Sequence, residues 1–255
     1  VAPFAQISAA DRALVPDGIV DAYPVSTLQA GFLFHSTYQT DVNMYCDVFM
    51  FTFGARYDHA AMRTAVDRAV AKHEMLRTSF DFTRYSEPLQ LVHATAHLPL
   101  THTDLRHLDA DAQRATLDAW CEREKQTPYD WTTPPLVRFA VHVLTDDTFR
   151  FAMSFHDATL DGWSESVMMT GILTEYWALL HDRPLGTIEP PVRRYADFVA
   201  AEREVLARQS ARDFWALEMA EVVPTPLPSL AAGAHDIHDG RMGFLSVDVP
   251  ADVST

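Results

Sequence analysis

The sequence has few cysteines and no excess of positive charge. Cys46 and Cys121 are the only cysteines in 255 residues, and the first residues lack the charged start and long apolar core of a secretory signal. Without a multi-cysteine framework or a leader, both thiols are expected to be free in a reducing cytoplasm. The formal net charge of -15 argues against nucleic-acid binding, because that function needs a basic surface.

Long hydrophobic runs are also absent. No stretch approaches the roughly 20 consecutive apolar residues that a membrane-spanning helix needs, so we predict no membrane role. Hydrophobic residues make up 48% of the chain and charged residues 22%, which is typical of a soluble globular protein. The length allows one large domain or two modest ones.

Helical and strand patterns alternate along the chain, which predicts an α/β or α+β fold. Apolar periodicity predicts a helix over residues 26–35, with Leu28, Phe32 and Leu33 on one apolar face. It also predicts helices over 58–73, 109–125 and 163–180, followed by one long helix over 194–221. Strand-forming residues predict strands over 45–53, which we expect to be well buried, and over 136–144, 149–156 and 240–249. A Thr-Asp-Asp-Thr turn predicts a hairpin between the two middle strands, and the breaker-rich residues 181–191 indicate a boundary.

One strand-to-helix turn concentrates polar side chains. The stretch SFHDATLDGWSE places His156, Asp157, Asp161 and Gly162 between a predicted strand and a predicted helix. Such turns can direct side chains and free backbone N–H groups into a cleft, and a glycine lets a ligand approach the backbone closely. The residues alone also allow a simpler interpretation, in which Asp161 or Ser164 caps the helix and His156 is a satisfied histidine at a strand end.

Four segments, in this order, resemble the motifs of condensation domains from nonribosomal peptide synthetases. They are YPVSTLQAG with FHS at residues 23–36, KHEMLRTSF at 72–80, HDATLDGWS at 156–164, and RYADF at 194–198 with a following Phe-Trp pair. The third is similar to the pattern His-His-x-x-x-Asp-Gly followed by Trp-Ser. Any one match is weak, but four in order are specific, and they extend over nearly the whole chain.

The resemblance implies a fold of two lobes, each similar to chloramphenicol acetyltransferase, with the reaction centre between them. Residues 1–185 would form the N-terminal lobe, an α/β (α+β) two-layer sandwich. Residues 186–255 would form the connector helix and the start of a truncated C-terminal lobe. The second lobe is therefore only begun, and we do not expect this half-domain to be active alone.

The implied activity is formation of an amide bond between a carrier-bound acyl or peptidyl thioester and a carrier-bound aminoacyl group. The implied partners are donor and acceptor peptidyl carrier proteins, with their phosphopantetheine arms, and neighbouring synthetase domains. No metal and no directly bound cofactor is expected; His235 and His238 have metal-like character but no third ligand in view. The alternative left open is a catalytically silent relative that acts as a recruitment platform.

The main departure from the family pattern is Asp157, which stands where the family has its second histidine, the residue placed beside the reacting amine. An ordinary aspartate titrates near pH ~3.9 and is a poor base at neutral pH unless it is desolvated. Repulsion from Asp161, four residues away, could also raise its pKa.

The remaining site residues take their expected roles from the resemblance. His156 would be the first, mainly structural histidine, and Gly162 would allow close approach to the backbone. Asp161 and Arg77 would form a structural ion pair. Ser164 and Trp163 would contact substrate or line the tunnel wall.

Overall fold

The computed structural model describes residues 1–38, 43–189 and 191–223. The chain divides into two compact units, Val1–Arg208 and Gln209–Thr255. The prediction of a strand over residues 240–249 lies outside the described residues, as do His235 and His238.

Helices and strands follow one another along the first unit. The strands are β1 (Ile19–Pro24), β2 (Cys46–Phe53), β3 (Thr78–Asp81), β4 (Leu89–His93), β5 (Leu100–Asp104), β6 (Val137–Thr145) and β7 (Thr148–His156). The α-helices of the chain are α1 (Ala9–Leu14), α2 (Thr27–Tyr38), α3 (His59–Lys72), α4 (Ala110–Gln126), α5 (Gly162–Leu180), α6 (Tyr195–Ala207) and α7 (Gln209–Glu218). A 3₁₀ turn occupies Glu74–Arg77.

Three helices begin with an aspartate cap. The carboxylates of Asp58, Asp109 and Asp161 each accept a hydrogen bond from the backbone N–H three residues further on, at the start of α3, α4 and α5 respectively. A short polar side chain at this position satisfies a backbone donor that the helix cannot, so these residues determine where the helices start.

The strands form two sheets. A three-stranded antiparallel sheet has the order β1-β4-β3, and a four-stranded sheet has the order β2-β7-β6-β5. Within the larger sheet β5 pairs with β6 in parallel, whereas β6 with β7 and β7 with β2 are antiparallel. The predicted hairpin is therefore confirmed as β6–β7.

The main core lies between the four-stranded sheet and the helices α3 and α5. Alternate residues of β7 point into it, because successive side chains of a strand face opposite ways. They are Phe149, Phe151, Met153 and Phe155. On the opposite face, α4 contacts the sheet through Trp120, whose ring lies 5.1 Å from that of His142, and through Glu124, which accepts a hydrogen bond of 2.5 Å from Ser154.

Helix α6 packs against the smaller sheet. Ala196 and Val199 join Tyr23 and Val92 in a separate buried cluster. The guanidinium of Arg194, just before α6, binds the carboxylate of Asp21 on β1 and lies 3.1 Å from the carboxylate of Glu74. These contacts include α6 in the first unit.

Three expectations about elements are wrong. Strand β2 is not well buried: it is an edge strand, and Phe49 and Phe51 are 39% and 37% exposed. The long helix predicted over 194–221 is interrupted at Arg208, whose backbone is extended (ψ 126°), so α6 and α7 are separate. Leu28, expected on the apolar face of α2, is 66% exposed, and the buried residues of that helix are Gln29 and Leu33.

Among the described helices, none combines the length and the apolar character needed to cross a bilayer.

Candidate functional site

His156 ends β7 and is fully enclosed. The backbone N–H of Ala158 donates to its Nδ1 at 3.0 Å, so Nε2 carries the proton and donates to Ser36 Oγ at 2.9 Å. The Trp131 ring stands edge-on to the imidazole, with 4.4 Å between ring centroids. Burial lowers the pKa of His156 to about 4. At neutral pH this imidazole is uncharged and fixed in place, as a structural histidine requires.

The turn after His156 is held by side chains from elsewhere in the fold. Gln29 on α2 donates from Nε2 to the Ala158 carbonyl at 2.8 Å, and its own amide pairs with that of Gln90 on β4. Thr159 donates from both its N–H (2.8 Å) and its hydroxyl (2.6 Å) to the His156 carbonyl. Because these polar groups are buried and paired, the turn has one well-defined conformation.

Asp157 follows with its backbone tied to β2 and its carboxylate free. Its N–H donates to the Tyr45 carbonyl at 2.9 Å. The carboxylate is half-buried and accepts no hydrogen bond from any residue in the described ranges. Burial, assisted by repulsion from Asp47, raises the pKa of Asp157 from 3.8 to about 6. The desolvation that a useful carboxylate base needs is therefore present, although the assisting neighbour is Asp47 and not the expected Asp161.

Asp161 has the opposite environment. Its carboxylate caps α5, accepting from the Ser164 N–H at 2.8 Å, and hydrogen bonding to Ser164 holds the pKa of Asp161 below its ordinary value. A capping carboxylate of this kind stays ionised at neutral pH and fixes the start of the helix.

The predicted ion pair between Arg77 and Asp161 is wrong for this structure. Arg77 donates from Nε to the Val70 carbonyl at 3.0 Å and from Nη1 to the His93 carbonyl, so its guanidinium is occupied by backbone acceptors at the end of α3 and on β4. Asp161 is occupied by the helix cap. Within the described part of the chain these two side chains make no ion pair with each other.

Gly162, Trp163 and Ser164 form the exposed first turn of α5. Trp163 is 81% exposed. A Cβ added to Gly162 would meet nothing within 4 Å, so packing against the part of the chain that the structure describes gives no reason for a glycine there. The expected roles in substrate contact, tunnel wall and close backbone approach stay predictions.

Four residues that shape the site had no predicted role: Gln29, Ser36, Asp47 and Trp131. Gln29 and Ser36 lie inside the first quoted motif, so that match was the available signal. Asp47 becomes relevant only through the β2–β7 pairing, which local sequence does not reveal.

Neither metal nor thiol chemistry is indicated for the described residues. They contain no group of three or more His, Cys, Asp or Glu side chains placed to hold a metal ion. Burial raises the pKa of the nearby Cys46 thiol to about 12, which leaves it protonated and unreactive at neutral pH.

A family model and the related sequences agree on one family. A family model described as "Condensation domain" matches residues 19–242. The chain is 37% identical over 254 residues to the AMB antimetabolite synthetase AmbE of Pseudomonas aeruginosa, covering 98% of this chain and 12% of that protein. It is 35% identical over 199 residues to a linear gramicidin synthase of Brevibacillus parabrevis, covering 77% of this chain and 4% of that protein.

Solved structures share the fold. The starter condensation domain of rhizomide synthetase RzmA aligns with a TM-score of 0.68 at 18% identity, covering 80% of this chain and 51% of that one. The first condensation domain of the calcium-dependent antibiotic synthetase, in complex with substrate analogue 3a, aligns with a TM-score of 0.68 at 19% identity, covering 83% and 52%. The predicted α/β fold class is confirmed, and the chain spans about half the length of these solved chains.

Proposed function

The chain belongs to the condensation domain family of nonribosomal peptide synthetases. From that premise we propose that its turn between β7 and α5 supplies the catalytic residues of an amide-forming enzyme. The substrates are an acyl or peptidyl thioester on a donor carrier and an aminoacyl group on an acceptor carrier. A related solved structure supports this pairing: a variant of the RzmA starter condensation domain was obtained in complex with C8-CoA and Leu-SNAC.

The reaction makes one bond and breaks one. The acceptor amine attacks the thioester carbonyl, the new C–N bond forms, and the C–S bond breaks as the donor's thiol departs. The nitrogen loses a proton and the departing sulfur gains one, so no other reactant is needed. The enzyme must hold both groups and manage the amine proton.

We assign the transfer of the amine proton to Asp157. The observation that carries the assignment is its carboxylate, half-buried, without a hydrogen-bond partner among the described residues, and with its pKa raised by burial to about 6. A group with a pKa near the working pH can take the proton from the attacking nitrogen as the C–N bond forms and return it to the departing sulfur. His156, neutral and hydrogen-bonded at both ring nitrogens, positions the turn and takes no part in the proton transfer.

The proposed partners are the donor and acceptor peptidyl carrier proteins and the neighbouring synthetase domains. The phosphopantetheine arms belong to the carriers and enter as part of the substrates. Because the family's reaction centre lies between two lobes, we assign turnover to the complete domain and not to this chain alone.

A reconstituted reaction tests the proposal. The complete domain is mixed with two loaded carrier proteins, and the acceptor-bound amide is measured by mass spectrometry. We expect amide product that depends on loading both carriers, with each unloaded carrier in turn as the control. A folded domain that binds the loaded carriers but makes no amide would contradict the proposal and favour the recruitment platform.

A further inference from the structure

The β2–β7 pairing brings a second carboxylate to Asp157. In this register Cys46 lies opposite His156 and Asp47 lies opposite Phe155. The Asp157 N–H extends the same pairing by donating to the Tyr45 carbonyl at 2.9 Å. Asp47 is two residues beyond Tyr45, so it lies on the same face of the ladder as Asp157, in a diagonal position typically ~7–8 Å away.

The other ionisable groups around Asp157 do not neutralise the negative charge of Asp47. Those on the neighbouring elements are Cys46 and Tyr45 on or beside β2, exposed His35 on α2, and Asp161 and Glu165 at the start of α5. Cys46 is protonated and Asp161 is occupied as a helix cap. None of the ion pairs among the described residues involves Asp157. Arg138, on the other side of the sheet, pairs with Glu124.

From this arrangement we infer that Asp47 is a positioning residue for the amide-forming reaction: it acts through Asp157, favouring the protonated form of that carboxyl by charge repulsion across the β2–β7 pair. The inference rests on the proposed function of Asp157.

The placement of Asp47 suits this role. It lies on an edge strand with its side chain exposed to solvent, so it contributes little to packing among the residues that the structure describes. Asp157, by contrast, is half-buried, where a neighbouring charge is less screened by water. The same exposure makes the interaction sensitive to salt, because ions screen an exposed charge over ~8 Å at physiological ionic strength.

NMR titration of the 255-residue chain tests the electrostatic link without any catalysis. The ¹³C carboxyl signal of Asp157, assigned by its loss in Asp157→Asn, is followed from pH 3 to 9 in the parent protein and in Asp47→Asn. We expect the midpoint to fall by about half a pH unit or more in Asp47→Asn at low salt. Asp47→Glu should keep most of the parent midpoint.

The matched control is Asp147→Asn, which removes the same charge from an exposed site in the β6–β7 turn, at the other end of β7. Its midpoint should equal that of the parent. Identical midpoints for the parent and Asp47→Asn would overturn the inference. So would an equal shift in Asp147→Asn, because the effect would then reflect only net charge.

The pH–rate profile of the complete domain links the charge to the reaction. If Asp157 carries the amine proton, the acidic limb of the profile moves to lower pH in Asp47→Asn by the amount seen in the titration. A titration that shifts while the rate profile stays fixed would overturn the role of Asp47 in the reaction. It would also locate the failure in the proposed function of Asp157, since the electrostatic link itself would have been measured.

Discussion

The two aspartates of the motif, four residues apart, differ in what surrounds each carboxylate. The Asp157 carboxylate is half-buried and has no hydrogen-bond donor among the described residues, and burial raises its pKa. Asp161 accepts from the backbone of Ser164, and this hydrogen bonding lowers its pKa. The pair shows how one residue type supplies both a titrating group and a permanently charged helix cap.

Asp157 should reduce the stability of the chain at neutral pH. Folding raises the pKa of Asp157 from 3.8 to about 6. Its contribution to the free energy of unfolding is therefore fully present below about pH 4 and is lost as pH rises through 6. Asp157→Asn removes this loss. The variant should match the parent near pH 4 and exceed it at pH 7 by about 1 kcal/mol, allowing for solvent screening at a half-buried site.

Urea denaturation of both proteins at pH 4, 5, 6 and 7 checks this. Subtracting one free energy of unfolding from the other cancels the contributions of all other titrating groups. A constant difference across the pH range would show that Asp157 titrates normally in the folded chain.

At the scale of elements, the long periodic segments were predictable and the pairing between elements was not. Helices α3, α4 and α5 and the β6–β7 hairpin follow from local periodicity and turn residues. The short strand β4 contains the polar residue Gln90, and a polar residue in so short a segment locally suggests a surface position. Gln90 is nevertheless fully buried, because its side-chain amide is hydrogen-bonded to that of Gln29. The edge position of β2 and the break at Arg208 depend on the surrounding fold.

The helix-cap role of Asp161 leads to a prediction about double mutants. Asp161→Ala should cost about 1 kcal/mol through loss of the cap, whereas Asp161→Asn, which can still cap, should cost little. Arg77→Met should destabilise by leaving the Val70 and His93 carbonyls unpaired. Because the two side chains do not contact each other, their effects should add within about 0.5 kcal/mol.

Equilibrium unfolding of the single and double variants measures this coupling. A coupling energy well above 1 kcal/mol would restore the ion pair that the family resemblance implied.

For the molecule as a whole, the ion cluster of Arg194 ties α6 to the smaller sheet. Asp21 is nearly inaccessible, with its side chain 3% exposed, and it also accepts from the Phe4 N–H at 2.6 Å. Arg194 joins this carboxylate and Glu74, so one side chain connects β1, the 3₁₀ turn and the start of α6. Residues far apart in the sequence thus fix where the connecting helix begins.

Arg194→Met should therefore destabilise the chain by about 3 kcal/mol, since it leaves a buried carboxylate without its cation. The control is Arg203→Met, which breaks the exposed pair with Glu87 and should cost less than about 1 kcal/mol. Chemical denaturation monitored by circular dichroism compares the two. Equal losses would mean that the Arg194 cluster contributes no more than a surface pair.

The central claim is that the carboxylate of Asp157 manages the amine proton, and the rate of amide formation by the complete domain tests it most directly. The parent, Asp157→Asn and Asp157→His are compared at pH 7.5 with both carriers loaded. The account predicts that Asp157→Asn loses about 10²-fold or more, the usual scale of acid–base assistance, and that Asp157→His stays within about tenfold of the parent. Equal rates for the parent and Asp157→Asn would contradict it, as would a gain of about 10²-fold in Asp157→His, which would identify Asp157 as a degenerate replacement for the family's histidine.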